Sequence, residues 1–258
     1  MSQGPAFIIS DTHLGAAAPE VERDLLGFLR ALRGRASTLI VNGDLFDFWF
    51  EWKTVIPRGA FKTLGALSEL QDSGTRIIWV AGNHDCWGGE VLREDLGVDY
   101  RMEPWEGELV GWRTRVEHGD GLREVEDKGY RRLRSVIRNP VSIKLFSWLH
   151  PDLATKIATA TSHTSRGYRP RDEGVGLRAV AHASLAADPA LDLLVFAHSH
   201  VATLERVGRG VFANAGSWLD EPTYLKLSER SVEMHRWDGS LDSPALSSLE
   251  RASLPVTR

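Results

Sequence analysis

Five short apolar runs in this chain each end in a compact polar cluster, and that recurrence constrains the fold more than any other feature. The clusters are Asp11-Thr12-His13, Gly43-Asp44-Leu45-Phe46-Asp47, Gly82-Asn83-His84-Asp85, His118-Gly119-Asp120 and His198-Ser199-His200. The runs that lead into them, at residues 7–10, 38–42, 76–81, 112–118 and 191–197, have strand length and are apolar, β-branched or alternating. Between the first three lie stretches with helical spacing. Residues 21–32 place Leu25, Leu26, Phe28, Leu29 and Leu32 on one face, and 61–70 reads as a second helix. Strands alternating with helices predict an α/β sheet, and such sheets gather their sites at the carboxyl ends of the strands. The five clusters are therefore expected to converge.

Strand signals disappear between Gly121 and Arg178, where helix-like runs occupy 130–138, 143–149 and 153–161. The simplest organisation is one domain over residues 1–258 with a helical insertion at about 122–178. Residues 122–178 hold twelve Lys and Arg against six Asp and Glu, whereas the whole chain has a net charge of -4. A basic segment on an acidic protein suits an anionic substrate or lipid surface, and equally a solvated helix face. Short strands return at 201–207, 210–213, 224–227 and 232–237, followed by a polar tail expected to be loosely held.

Composition narrows the chemistry. With 42% hydrophobic and 26% charged residues the chain reads as soluble and globular. Its one cysteine, Cys86, excludes an internal disulfide and a cysteine-rich zinc site, so oxygen and nitrogen must supply any metal ligands. Cys86 itself reads as a small packing residue. The first residues lack a basic, apolar leader, which places the expected location in the cytoplasm.

The clusters offer four histidines, two aspartates and one asparagine amide as metal ligands: His13, His118, His198, His200, Asp11, Asp44 and Asn83. In extended backbone residues i and i+2 share a face, so Asp11 with His13, and His198 with His200, are expected to chelate as pairs. Asp44 has two oxygens with which to bridge two cations, and the glycines before Asp44 and Asn83 permit sharp turns and close approach. This ligand set suits manganese first, with iron or zinc as alternatives, over calcium. His150, His163, His182 and His235 lack such company and read as structural. Any cluster alone would be an ordinary turn; five in succession are not.

In this order and spacing the clusters resemble the calcineurin-like metallophosphoesterase superfamily, from Ser10 to about Ser217. Asn214-Ala215-Gly216-Ser217 looks like its closing Asn-x-Gly-Ser turn, and Ala197 stands where the fifth block usually has glycine. The resemblance implies a four-layer α/β/β/α sandwich of two mixed sheets flanked by helices, with a helical lid inserted. It also implies two divalent ions, one held by Asp11, His13, Asp44 and His200, the other by Asp44, Asn83, His118 and His198. Two such cations acidify a bridging water for in-line attack on phosphorus. His84 is then expected to steady the phosphoryl charge or protonate the leaving oxygen, with Asp85 orienting its ring and Asp47 orienting a ligating histidine.

Within the superfamily the strings Asn42-Gly43-Asp44-Leu45-Phe46-Asp47-Phe48-Trp49-Phe50-Glu51 and His118-Gly119-Asp120-Gly121-Leu122 resemble the UDP-2,3-diacylglucosamine pyrophosphohydrolases of lipid A synthesis. That resemblance implies cleavage of a nucleotide-linked lipid to UMP and 2,3-diacylglucosamine 1-phosphate. Asn83, His84, Asp127, Ser165 and Arg166 would then contact the substrate. Residues 141–149, with Ile143, Leu145, Phe146, Trp148 and Leu149 beside Lys144 and Arg138, would lie at the inner membrane surface or pack as a lid helix. The aromatic run Phe46, Phe48, Trp49, Phe50 and Trp52 would line an acyl-chain wall or the core. Two other readings are a phosphodiesterase or nuclease of the same superfamily and a non-catalytic scaffold. The first lacks aromatic platforms along a basic groove, so no stable nucleic-acid partner is expected; the second does not explain an intact ligand set. Oligomeric state is left open.

Overall fold

The computed structural model describes residues 4–124, 127–166 and 174–252, the side chains of 159–166 excepted. Its first half alternates as expected: β1 (Ala6–Ile9), α1 (Pro19–Leu32), β2 (Thr38–Asn42), α2 (Phe61–Asp72), β3 (Arg76–Val80), β4 (Asp99–Arg101), β5 (Trp105–Leu109) and β6 (Trp112–Val116). Helices follow: α3 (Lys128–Ile137), α4 (Pro140–Phe146), α5 (Pro151–Arg166) and α6 (Val175–Ala187). The chain then returns to strands β7 (Leu193–Phe196), β8 (Thr203–Val207), β9 (Gly210–Asn214), β10 (Thr223–Leu227), β11 (Ser231–Arg236) and β12 (Ser247–Glu250).

Seven strands form one sheet in the order β12-β11-β10-β1-β2-β3-β4, and five form another in the order β5-β6-β7-β9-β8. Both are mixed: β1 to β4 run parallel and β10 to β12 antiparallel, while β6, β7 and β9 run parallel between antiparallel edges. Alternate residues explain the layering. Ile8, Ile40, Ile78 and Val80 from the first sheet meet Val116, Leu193, Val195 and Val211 from the second in one core. Phe7, Ile9, Leu39, Val41 and Trp79 face the other way and meet α1 and α2. Leu194, Phe196 and Phe212 pack under α6 through Leu177, Ala181 and Leu185. The result is the expected α/β/β/α sandwich. Strands covered on both faces carry no polar alternation, which is why β1 and β7 are wholly buried.

Helix α1 shows the local logic. Pro19 and two glutamates occupy its first turn, where fixed φ and negative charge both favour initiation. Its five buried residues are Leu25, Leu26, Phe28, Leu29 and Leu32, each contributing about 1.5–3 kcal/mol of transfer free energy.

Two expectations need correction, and a third, left open between two readings, is divided. Residues 175–178, assigned to the insertion, begin α6, a helix of the sandwich itself. The polar tail is not loose as far as residue 250, because Ser247–Glu250 completes the first sheet by pairing with β11. The aromatic run is divided: Phe46 and Trp49 enter the main core, while Phe48, Phe50 and Trp52 meet Ile143, Phe146 and Leu149 in a separate cluster.

Candidate metal centre

Strands β1, β2 and β3 are parallel neighbours in one sheet and β6 and β7 in the other, so their carboxyl ends lie together. Asp11, Asp44, His118 and His198 each sit two residues past a strand end, and Asn83 sits three past. Backbone hydrogen bonds fasten these loops to one another. Asp11 N donates to Gly43 O at 3.1 Å, His13 N to Asp44 O at 2.9 Å, and Ala197 N to His118 O at 2.9 Å. The closing turn fastens the rest: Asn214 Nδ2 donates to Ala197 O at 3.0 Å, and Ser217 Oγ to Asp11 O at 3.0 Å. Ala197 is fully buried and accommodated in place of glycine.

The backbone at these positions is unusual. Asp11, His13, Asp44, His198 and His200 all have φ between 48° and 63°, in the left-handed region that costs an ordinary residue energy. Asp11 and His13 therefore converge through a left-handed turn, not along the extended backbone expected from their i, i+2 spacing, while His198 and His200 do not chelate as a pair: His200 joins Asp11 and His13, and His198 joins Asp44 and His118. Gly82 serves close approach alone, since a Cβ there would stand 2.1 Å from Asp44 Oδ1. Gly43 combines φ of 78° with a similar contact, 2.3 Å to His118 Nδ1.

Among the described residues three groups bring ligand atoms within 4.8 Å of one another: Asp11, His13 and His200; His13, Asp44 and His84; and Asp44, His118 and His198. Several of their buried polar atoms, Asp11 Oδ1, His13 Nδ1 and His118 Nε2, lack the hydrogen-bond partners that burial demands. Nε2 of His13 and Nε2 of His200 are 3.3 Å apart. Asp11 Oδ1 lies 3.4 Å from His200 Nε2, and Asp44 Oδ2 lies 3.3 Å from His118 Nε2. Even so, Asp11 Oδ1 and His118 Nε2 make no aligned hydrogen bond, and Asn83 Oδ1 is buried with no partner. Orphaned oxygens and nitrogens of this kind fit divalent cations.

The charges are tightly matched. Burial works against the Asp44 carboxylate, yet His118, His84 and His13 hold it well below the ordinary carboxylate range. Burial likewise opposes ionised Asp11, and His200 and His118 outweigh it, so its pKa is lowered. On His118 burial pulls down and Asp44 prevails, raising the ring well above an ordinary imidazole. Burial and the charge of His118 push His198 down to about 4.

The residues around these groups differ from expectation at Asp85. Asp85 does not orient His84. Its carboxylate accepts from Gly82 N at 2.7 Å, Leu45 N at 2.9 Å and Trp79 Nε1 at 3.1 Å, so it ties two loops together. Burial and the charge of Asp44 push it up to about 6. The His84 ring instead meets the Asp47 carbonyl through Nδ1 at 2.9 Å, and Asp47 Oδ1 lies 3.7 Å from both His84 Nδ1 and His13 Nδ1. Asp127 is buried and its carboxylate is engaged by Arg123 at 2.6 Å. Ser165 and Arg166 end α5, and their side chains fall outside the described residues. Sequence reasoning misses Asp220: its Oδ2 lies 3.7 Å from His200 Nδ1, and no motif in the sequence marks it.

Residues 4–202 match the calcineurin-like phosphoesterase family. The chain belongs to that family. This calcineurin-like phosphoesterase is 32% identical over 216 residues to a Porphyromonas gingivalis protein named UDP-2,3-diacylglucosamine hydrolase, an alignment covering 76% of this chain and 82% of that one. A protein of the same name from Ectopseudomonas mendocina is 33% identical over 62% of this chain and 65% of its own. Another, from Yersinia pestis bv. Antiqua, is 27% identical over 88% of this chain and 97% of its own. Members of this family are hydrolases that use divalent metals. No described helix is long and apolar enough to cross a membrane.

Proposed function

We propose that this phosphoesterase hydrolyses the pyrophosphate of UDP-2,3-diacylglucosamine, releasing UMP and 2,3-diacylglucosamine 1-phosphate. The observation that carries the reading is the full ligand constellation in a chain whose relatives bear that substrate in their name. One cation would be held by Asp11, His13, Asp44 and His200, the second by Asp44, Asn83, His118 and His198, with manganese the first choice. When bound, two such ions polarise the phosphoryl oxygens and acidify water.

The chain's own residues do the rest. Asp44 would carry the charge shared between the two ions, and the Gly82 backbone makes room for it while Gly43 makes room for His118. His84 directs Nδ1 to the Asp47 carbonyl, which leaves Nε2 as the nitrogen to steady the phosphoryl group or protonate the leaving oxygen. Helices α3 to α5 serve as the lid. Phe48, Phe50 and Trp52 against Phe146, Ile143 and Leu149 form the apolar seam that acyl chains would enter. Leu145 and Trp148, 56% and 73% exposed, support contact between α4 and a lipid surface.

The test is an assay in manganese with UDP-2,3-diacylglucosamine in detergent micelles, run in ¹⁸O-water beside bis(p-nitrophenyl) phosphate. The reading expects UMP carrying the label. Cleavage of the diester without UMP release would retain the phosphoesterase and discard the lipid substrate.

A further inference from the structure

One cation is built into the wall of the centre. Arg138, the residue after α3, has a side chain only 13% exposed and reaches acceptors on three segments. Nη1 donates to Met102 O at 3.2 Å, and Nη2 to both Gly82 O at 3.5 Å and Asp120 Oδ2 at 3.3 Å. The same Asp120 oxygen accepts from Tyr130 OH at 2.7 Å and lies 3.3 Å from Arg134 Nε. Gly82 immediately precedes Asn83, and Asp120 is two residues beyond His118. One guanidinium therefore spans the two loops that bear Asn83 and His118.

The Gly82 peptide is pinned from both sides. Its N–H donates to Asp85 Oδ1 at 2.7 Å, and it lies so close to Asp44 that a Cβ there would stand 2.1 Å from Oδ1. The end of α3 is tied to the same loop a second time, by Trp87 Nε1 donating to Ile137 O at 2.7 Å. A planar guanidinium holds Nη1 and Nη2 in fixed directions, which a lysine ammonium does not. Arg138 thus acts as a brace, reaching a loop 56 residues away in sequence.

We propose that Arg138 is a positioning residue for the metal centre. By joining Gly82 O to the Asp120 carboxylate it sets the separation of Asn83 and His118, and with it the affinity for the second cation. This inference rests on the two-metal reading above. A brace for the lid alone would affect substrate and leave the metals untouched.

The experiment titrates the metal-free full chain with manganese(II) alone and follows it by electron paramagnetic resonance, which distinguishes unbound, isolated and spin-coupled ions. The wild type is expected to bind two ions with a coupled spectrum. Arg138→Met should bind one ion tightly, lose the coupled spectrum and weaken the second site at least tenfold. Because Arg138→Met takes one of its two arginine partners from the buried Asp120 carboxylate, the double variant Arg138→Met/Asp120→Asn removes that charge while still lacking the brace. It should melt near the wild-type temperature and still lose the second ion; Arg138→Lys should fall between. Two ions bound with wild-type affinity in both Met variants would overturn the proposal, even if KM for substrate rose. Fewer than two ions in the wild type would instead refute the two-metal reading on which the proposal depends.

Discussion

Nε2 of His13 and Nε2 of His200, on loops 187 residues apart, face each other at 3.3 Å. Two ring nitrogens at that distance share at most one proton, and Asp11 and Asp44 stand beside them at 3.4 and 3.8 Å. The arrangement is a cage for a cation. Manganese at a hundredfold over its Kd should stabilise the protein by about 2.7 kcal/mol, a rise in Tm of roughly 5–10 °C. A chelator should reverse it, and His200→Ala should reduce it. Differential scanning fluorimetry reads all three.

Gly82 has no room for a side chain, since its Cβ would meet Asp44 Oδ1 at 2.1 Å. Gly82→Ala should displace the Asp44 carboxylate and lower kcat about 10²-fold, the effect of an ångström-scale misplacement. Gly65 in α2 is exposed with nothing within 4 Å of its Cβ. Gly65→Ala should leave kcat unchanged and stabilise the helix by about 0.5–1 kcal/mol. Steady-state kinetics and thermal melts of the two variants provide the comparison.

Much of this site is legible in the amino-acid sequence, and the limits are instructive. The five inward residues of α1 and the bounds of β2 follow from apolar period alone. Helix α6 leaves a weak signal because its core face is Leu177, Ala181 and Leu185, and alanines do not stand out as a stripe. Strand β5 is hard to see because only Trp105 and Leu109 at its ends are buried. The candidate ligands are readable because metal chemistry restricts residue type. Their backbone is not: φ near 50° at Asp11 and His13 is imposed by neighbouring loops. Contacts such as Asp47 with His84, or Arg138 with Gly82, join distant segments and leave no local pattern.

Cys86 is 2% exposed, and burial pushes its thiol up to about 12. The reactive thiolate is therefore scarce at neutral pH. Iodoacetamide at pH 8 should label the native protein far more slowly than the unfolded chain, as mass spectrometry would record. Cys86→Ala should keep full activity and cost about 1 kcal/mol in packing.

Glu205 of β8 joins α6 through Arg178 and through His182 Nε2, the latter at 2.6 Å. Partial burial opposes its charge, yet Arg178 and His182 hold its carboxyl below the ordinary 4.5. Because the folded value is the lower one, the pair stabilises fully above pH 4.5 and fades as pH falls through the folded-state value. Glu205→Gln should lower Tm slightly at pH 7, and the difference should vanish in acid. Equal differences at both pH values would show that the carboxylate's charge contributes nothing.

Anomalous diffraction from crystals grown with manganese tests the shared-carboxylate centre most directly. Two peaks sharing Asp44 are predicted, one among Asp11, His13 and His200, the other among Asn83, His118 and His198. A single peak, or two that do not share Asp44, would contradict a two-metal centre bridged by that residue.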